Sequence, residues 1–195
     1  MDMCGRYQFT AEQSAEMREI AQEIQRKYGD RAWTPGEIRP TATAPVLLPG
    51  KSGVRPELHH WGYRLPDSLI INARAESAEE KALFRDSVTN RRCVVPSTGF
   101  FEWDSDKRKY LFTLPDSDAL YIAGLWSVRD GVPCFCILTT EANCSMREVH
   151  PRMPLVLDRT NVCFWLEDLS AARKLLRQTP PLLKKVSADA QLRLW

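Results

Sequence analysis

The chain has 195 residues, of which 44% are hydrophobic and 27% charged, and its formal net charge is +2. This length suits one domain with a buried core and is short for two. Six cysteines are too sparse for a disulfide scaffold, and the sequence contains neither a membrane-length apolar run nor the apolar stretch of a signal peptide. We therefore expect a cytosolic protein with reduced thiols, and the small charge neither indicates nor excludes nucleic acid as a partner.

The first part of the chain predicts a helix followed by extended segments. Apolar residues recur at helical spacing over residues 10–29, with Thr10 and Gln13 as a capping box and Gly29 as the stop. Four prolines within residues 34–50 favour extended and turn geometry. The next predicted strands are Glu57–Trp61 and Leu69–Asn72.

The remaining elements predict the fold class. A second helix is predicted over residues 77–90, with Ser77 and Glu80 as its capping pair, and RRCVVPSTGFFEW (91–103) is typical of a strand, a Pro-Ser-Thr-Gly turn and a second strand. Further strands are predicted over 110–114, 119–126 and 133–140, and helical segments over 161–169 and 170–178, before Pro180 and Pro181. Strands and helices without regular alternation indicate an α+β fold, with a mostly antiparallel sheet or barrel and flanking helices in one domain over residues 1–195.

Four stretches concentrate polar residues where a plain core would not need them: CGRY (4–7), NARAES (72–77), GFFEW (99–103) and HPRMP (150–154). Asn72, at a strand end, is either a turn former or a ligand. Strand alternation puts Phe101 and Trp103 on one face and Glu102 with Phe100 on the other, so Glu102 is either an exposed edge residue or a carboxylate that lines a pocket. His150 alone is either a surface residue or a functional one.

No metal site is predicted. His59 and His60 would point to opposite faces of a strand, which makes them a poor metal-binding pair. Cys134 and Cys136 lack the spacing of a zinc site and would share one sheet face as small buried hydrophobes. We expect neither a metal nor another cofactor.

The motifs CGR, WG, INARAES, RRCVVPSTGFFEW and HPRMP, in this order, resemble the SOS response-associated peptidase (SRAP) family. The resemblance runs from Cys4 to about Leu157, with a weaker match at KKVSADA (184–190). It implies a mostly β, barrel-like fold and a protein that shields abasic sites in single-stranded DNA. It also implies an enzyme with peptidase (hydrolase) and lyase-like activity.

The same resemblance implies a role for particular residues. Cys4 matches the family's amino-terminal cysteine, which bonds covalently to DNA, and Asn72, Glu102 and His150 match the polar residues around it. Four further positions are expected to contact DNA: Arg6 and Arg74 on the backbone, together with Gly5 and Trp61. The alternative for Trp61 is core packing rather than stacking on a base.

These residue types suit chemistry at an abasic sugar aldehyde. A primary amine condenses with the aldehyde, and a thiol on the same residue then closes a five-membered thiazolidine, which only an amino-terminal cysteine can do. We assign His150 to proton transfer on the sugar oxygen, Glu102 to the amine and imine, and Asn72 to positioning. Because Arg6 and Arg74 can clamp phosphates, the affinity should fall with salt.

Met1, Asp2 and Met3 precede Cys4, and an amide nitrogen cannot form an imine. Either translation begins at Met3, or the protein cleaves its own Met3–Cys4 bond, or the chain is inactive; we expect residues 1–3 to be absent from the active form. Two rival functions stay open: a cysteine peptidase acting on its own leader with His150 as base, and a non-catalytic single-strand binder. A monomer is expected.

Overall fold

The computed structural model describes residues 4–51 and 53–187. The predicted leader (residues 1–3) and the end of the KKVSADA match (188–190) lie outside this part. Its helices are α1 (Ala15–Tyr28), α2 (Ala82–Asn90), α3 (Val162–Glu167) and α4 (Leu169–Leu175). Its strands are β1 (Tyr7–Phe9), β2 (Gly36–Ile38), β3 (Thr43–Gly50), β4 (Gly53–Trp61), β5 (Tyr63–Leu65), β6 (Ser68–Ile70), β7 (Asn72–Arg74), β8 (Arg92–Ser97), β9 (Gly99–Trp103), β10 (Lys109–Thr113), β11 (Leu120–Arg129), β12 (Val132–Glu141), β13 (Arg152–Pro154), β14 (Val156–Leu157) and β15 (Lys184–Ser187).

Five of these strands close into a barrel. The order β12-β4-β3-β8-β11 returns to β12, because β11 also pairs with β12. All of these pairings are antiparallel except β4 with β12, which is parallel. Strands β7, β13 and β14 extend the wall, and helices flank it. The predicted α+β class with a barrel-like, mostly antiparallel core is confirmed.

A second sheet, in the order β15-β10-β9-β1-β2, positions the amino-terminal segment. The chain passes from barrel strand β8 into β9 through Thr98 alone, so the predicted Pro-Ser-Thr-Gly turn is largely absorbed into the two strands. Gly99 permits this close passage, since a Cβ there would lie 2.8 Å from the carbonyl oxygen of Phe112. This passage of the chain from the barrel into the second sheet places β9, and with it the GFFEW motif, directly beside β1.

The predicted starts of both longer helices are wrong. The α1 helix begins at Ala15, and its cap is Ser14, whose Oγ accepts from Met17 N–H at 3.4 Å. The hydroxyl of Thr10 instead accepts from the Gln8 side-chain amide at 3.0 Å. The predicted stop at Gly29 is confirmed, with φ +88° at the carboxyl end of α1.

The segment from Ala75 to Lys81 does not join α2. It forms a short 3₁₀ turn and a bend, in which Ser77 offers its backbone carbonyl to Glu80 and Lys81 and does not act as a capping hydroxyl. The α2 helix therefore begins only at Ala82. Among the described helices, none has both the length and the apolar character that a membrane crossing needs.

Gly62, directly after β4, turns the chain where an ordinary residue would be strained. Its φ is +118°, and a Cβ would lie 2.6 Å from Leu69 Cδ1 and 3.0 Å from Leu69 Cγ. We expect Gly62→Ala to cost about 2 kcal/mol of unfolding free energy, because it adds left-handed strain and a clash. Gly131, with φ +78° and open space around it, is the control that carries the strain alone. Urea unfolding tests this, and equal losses for Gly62→Ala and Gly131→Ala would refute the clash.

Candidate active site

Cys4 is held beside Glu102 by the pairing of β1 with β9. The antiparallel register places Tyr7 opposite Phe100, and Phe101 N–H donates to the Arg6 carbonyl at 2.9 Å. The ladder thus brings together residues 98 positions apart: the Cys4 backbone N–H donates to Glu102 Oε2 at 2.9 Å. The Cys4 side chain is completely buried, and its φ of +46° lies in the left-handed region that non-glycine residues avoid.

Glu102 is a buried carboxylate. Of the two alternatives that the sequence left open, it is therefore a residue that lines the site and not an exposed edge residue. Only 3% of the residue is exposed, on the same face as buried Phe100, as strand alternation predicts. Burial raises the pKa of Glu102, while the Cys4 N–H, the nearby positive charge of His150 and the Trp103 N–H act in the opposite direction. A carboxyl group with a raised pKa is suited to both accepting and donating a proton.

Burial also controls the Cys4 thiol. It raises the pKa of the thiol well above the usual value, and the negative charge of Glu102 raises it further. The neutral thiol is therefore the resting form, so a reaction at this sulfur needs a group that removes its proton.

His150 directly follows a tight turn and lies two residues before β13. Its backbone N–H donates to the Met146 carbonyl at 3.1 Å. Its Nδ1 lies 3.1 Å from Arg152 N and 3.2 Å from Arg152 O, so the neutral ring can accept from the amide and the charged ring can donate to the carbonyl. The positive charge of His150 lowers the pKa of Glu102, in opposition to burial.

Arg152 holds this turn in place. Its guanidinium donates to both carboxylate oxygens of Glu76, at 2.6 and 2.9 Å, and to the Thr139 carbonyl at 2.7 Å. A bidentate pair of this kind is a rigid connection between the segment after β7 and the start of β13. Partial burial would raise the pKa of Glu76, but the bonds from Arg152 outweigh this and lower it. The HPRMP motif includes Arg152, yet the sequence alone does not reveal its positioning contact.

Asn72 begins β7, which pairs in parallel with the middle of β12, and is half-buried in the barrel wall. Arg74, at the other end of the same short strand, is exposed. Both locations are fixed by the barrel, whereas the expected roles of Asn72 in positioning and Arg74 in phosphate contact stay predictions.

Arg6 belongs to a cationic cluster that the sequence did not reveal. Glu37 accepts from Arg6 at 3.2 Å, from Arg39 at 2.9 Å and from Lys109 at 2.6 Å. Partial burial would raise the pKa of Glu37, but the bonds from Lys109 and Arg39 and the charge of Arg6 lower it. Three cations around one carboxylate give this group of four side chains a net positive charge, just before β1, around the end of β2 and at the start of β10.

Two aromatic rings of GFFEW lie under these cations. The Arg6 guanidinium is 5.2 Å from the centre of the Trp103 ring, and the Lys109 ammonium is 3.8 Å from the centre of the Phe101 ring. Alternation along β9 places both rings on the face opposite Glu102, so this pattern could have indicated them. We call Arg6, Arg39, Lys109, Phe101 and Trp103 the cationic face.

Trp61 does not contribute an exposed ring. It is completely buried, stacks against Phe135 at 6.0 Å between ring centres, and donates from Nε1 to the Ile71 carbonyl at 3.1 Å. The prediction that Trp61 stacks on a DNA base is wrong, and its alternative, core packing, describes the residue. Gly5 is half-buried, and the space where its side chain would lie is open; its predicted DNA contact stays a prediction.

The other candidate ligands are structural. His59 is buried, which lowers its pKa to about 4, and Cys134 and Cys136 are buried as predicted. Within residues 4–51 and 53–187, no three histidine, cysteine or acidic residues are grouped so that they could hold a metal ion.

The fold and the site together define a class of protein. It is a small closed barrel with a buried cysteine–carboxylate pair near the start of the chain and a cationic, aromatic face on the other side of β9. The family model described as SOS response associated peptidase (SRAP) matches residues 3–193, and the chain belongs to this family.

Several relatives and solved structures are similar to this chain. Abasic site processing protein YoaM from Bacillus subtilis is 39% identical over 106 residues, which are 50% of this chain and 47% of YoaM, so the chain spans about half the length of this relative. Abasic site processing protein YedK from Escherichia coli is 27% identical over 179 residues, 84% of this chain and 79% of YedK. A crystal structure of a protein from Bacteroides thetaiotaomicron has the same fold, with a TM-score of 0.76 at 21% identity, covering 94% of this chain and 91% of that one.

Proposed function

We propose that this protein senses and shields abasic sites in single-stranded DNA by forming a covalent link through Cys4, once Cys4 is the first residue. The observation that carries the proposal is the 2.9 Å contact between the Cys4 nitrogen and the Glu102 carboxylate, with the Cys4 thiol buried beside it. The relatives named abasic site processing proteins support the same class of substrate.

The reaction uses both reactive groups of Cys4. The amine adds to the aldehyde carbon of the opened sugar, and loss of water leaves an imine. The thiol then gives up its proton, sulfur bonds to the imine carbon, and the C=N electron pair returns to nitrogen, which takes a proton. The product is a thiazolidine, with water as the one leaving molecule. Because both groups are on one residue, the closing step is intramolecular and fast.

Glu102 lies where the protons of this sequence must move. Its contact with the Cys4 nitrogen lets it accept a proton from the amine and return one to the carbinolamine hydroxyl when water leaves. His150 transfers a proton to or from the sugar oxygen during ring opening. Its ring has a backbone hydrogen-bond partner whether it is neutral or charged. Asn72 positions the amino-terminal residue or the sugar.

The test is adduct formation on DNA of defined structure. A chain whose first residue is Cys4, verified by intact mass, is incubated with a single-stranded oligonucleotide that contains one abasic site, and heat-stable adducts are separated on a denaturing gel. We expect an adduct with the abasic oligonucleotide and none with the intact one. Chains that still begin at Met1 should give no adduct, since their Cys4 nitrogen is an amide. A verified Cys4-first chain that never becomes attached would overturn the proposal.

Single-stranded DNA should lie across exposed Arg74 and the cationic face. We expect Arg74→Ala to lower the slope of log affinity against log salt concentration by about one, because one phosphate contact is lost. Fluorescence anisotropy of an intact oligonucleotide at several salt concentrations measures this slope. Arg26→Ala, an exposed arginine on α1, is the control that should leave the slope unchanged. Equal slopes for Arg74→Ala and the parent chain would remove Arg74 from the interface.

A second function, cleavage of the Met3–Cys4 bond by the protein itself, is favoured by the same contact and by the left-handed φ of Cys4. Cys4 sulfur would attack the Met3 carbonyl carbon, the Cys4 nitrogen would leave as an amine, and water would hydrolyse the resulting thioester. Loss of residues 1–3 from purified full-length chain, followed by mass spectrometry, tests this. Leader release without a DNA adduct would favour the peptidase over the DNA-linking function.

A further inference from the structure

Glu37, in the middle of β2, is a single carboxylate that all three cations of the cationic face share. Its Oε1 accepts from Arg6 Nη1 at 3.2 Å and from Arg39 Nε at 2.9 Å. Its Oε2 accepts from Lys109 Nζ at 2.6 Å. A carboxylate and a DNA phosphodiester each carry one negative charge shared by two oxygens, and arginine and lysine bind both groups. The three cations therefore surround a position that a phosphodiester group could also take.

Two of these cations are held in place without Glu37. The Lys109 ammonium lies 3.8 Å from the centre of the Phe101 ring and 5.6 Å from the centre of the Trp103 ring. The Arg6 guanidinium lies 5.2 Å from the centre of the Trp103 ring. A cation over an aromatic face is attracted by the ring itself. Arg6 and Lys109 therefore keep their places on the sheet when the carboxylate moves away.

The cluster is open to a ligand. The exposed fraction of the side chain is 25% for Glu37, 27% for Lys109 and 36% for Arg6. Ion pairs with this access to solvent contribute little to stability, because water screens them. In addition, β2 is the last strand of the second sheet, so no further strand of that sheet lies beyond Glu37. Its side chain can turn away from the cations at little cost to the fold.

We propose that the Glu37 carboxylate occupies a phosphate subsite of the cationic face, and that a phosphodiester group of single-stranded DNA displaces it and accepts from Arg6 and Lys109. The inference rests on the proposed function, which brings a DNA strand to this face. Glu37 then lowers the affinity for every strand, with or without an abasic site. Intact DNA is released readily, and the covalent link at Cys4 is what retains an abasic strand.

The experiment compares Glu37→Gln with Glu57→Gln in a chain that begins at Cys4. Glutamine has the shape of glutamate without its charge, so both variants raise the net charge equally. Glu57 is a matched control, because it also pairs with a lysine and an arginine, Lys27 and Arg55, and neither belongs to the cationic face. Fluorescence anisotropy of an intact single-stranded oligonucleotide at several salt concentrations measures the affinity and its salt dependence.

For Glu37→Gln we expect the intact oligonucleotide to bind about fivefold more tightly at low salt, since no carboxylate competes with the phosphate. The fall of log affinity with log salt concentration should also become steeper by about one. In the parent chain the displaced carboxylate takes up a cation from solution, which offsets one cation released from the DNA, and the variant has no such carboxylate. Glu57→Gln should match the parent chain in both measurements.

Three results would overturn the inference. Weaker binding by Glu37→Gln would mean that the carboxylate orients the cations for DNA. Unchanged binding, or an equal gain for Glu57→Gln, would mean that the strand does not use this subsite or that net charge alone acts. A Glu37→Gln chain that fails to fold would mean that the fold requires the carboxylate, which DNA could then not displace.

Adduct formation on the abasic oligonucleotide is measured separately, so that the inference and the proposed function can fail independently. If the parent chain forms no adduct but Glu37→Gln binds the intact strand more tightly, the covalent function fails and the phosphate subsite stands. If adducts form and Glu37→Gln gains no affinity, the subsite fails and the covalent function stands.

Discussion

Replacing Cys4 with alanine in a chain that begins at this residue is expected to abolish the heat-stable adduct completely while keeping an imine that borohydride can trap. Alanine at the first position still has a free amine, so condensation with the sugar aldehyde continues. Without the thiol, the ring cannot close, and the imine hydrolyses. Denaturing gels with and without borohydride measure the two products on the same abasic oligonucleotide.

Two controls separate the amine from the thiol. Cys144→Ala removes an exposed cysteine and should leave both products unchanged. A chain that retains a residue before Cys4 has the thiol but no free amine there, and it should give neither product through Cys4. Heat-stable adducts from Cys4→Ala would contradict the proposed chemistry. If neither the parent chain nor Cys4→Ala is trapped, although both bind DNA, the protein is a non-covalent binder.

Local patterns predicted the elements of this fold but not how they join. Alternation and β-branched content identified the strands later described as β8 to β12, because these signals depend on neighbours in sequence. The closure of the barrel depends on the parallel pairing of β4 with β12, which joins Trp61 to Phe135 across 74 positions and has no local signature. The start of α1 differs from the prediction for a local reason: the Thr10 hydroxyl accepts from the Gln8 side chain, and Ser14 caps the helix instead.

In the candidate site, too, local sequence patterns predicted some features, whereas contacts between distant strands determined the others. Alternation in GFFEW correctly predicts that Glu102 lies on the opposite face of the strand from Phe101 and Trp103. Only the structure shows that Glu102 is buried. The burial of Trp61, in contrast, depends on contacts with Phe135 and Tyr7 from distant strands. Glu37 and its three cations are likewise brought together from the start of β1, the end of β2 and the start of β10, so no single stretch of sequence could indicate that cluster.

Glu102→Gln should slow adduct formation by roughly 10²–10⁴-fold while making the protein more stable at neutral pH. Glutamine keeps the shape and can still accept from the Cys4 nitrogen, but it cannot exchange protons with the amine. Single-turnover rates on the abasic oligonucleotide measure the first effect. The exposed residue Glu167, changed to glutamine, is the matched control and should alter neither rate nor stability.

The stability effect has a defined direction with pH. Because burial raises the pKa of Glu102, the folded chain holds this proton more tightly than the unfolded chain does. Stability therefore falls as pH rises from the unfolded pKa of glutamate, about 4.3, through the higher folded value. Glu102→Gln has no carboxyl group to ionise here, so its stability does not fall in this way. In urea unfolding, the variant should therefore have a higher free energy of unfolding than the parent chain at pH 8, and the two values should be equal at pH 3. A variant that is less stable at pH 8 would mean that the ionised carboxylate is stabilised by the Cys4 N–H and His150 more than it is penalised by burial. Glu102 would then be a structural anchor and not a proton carrier.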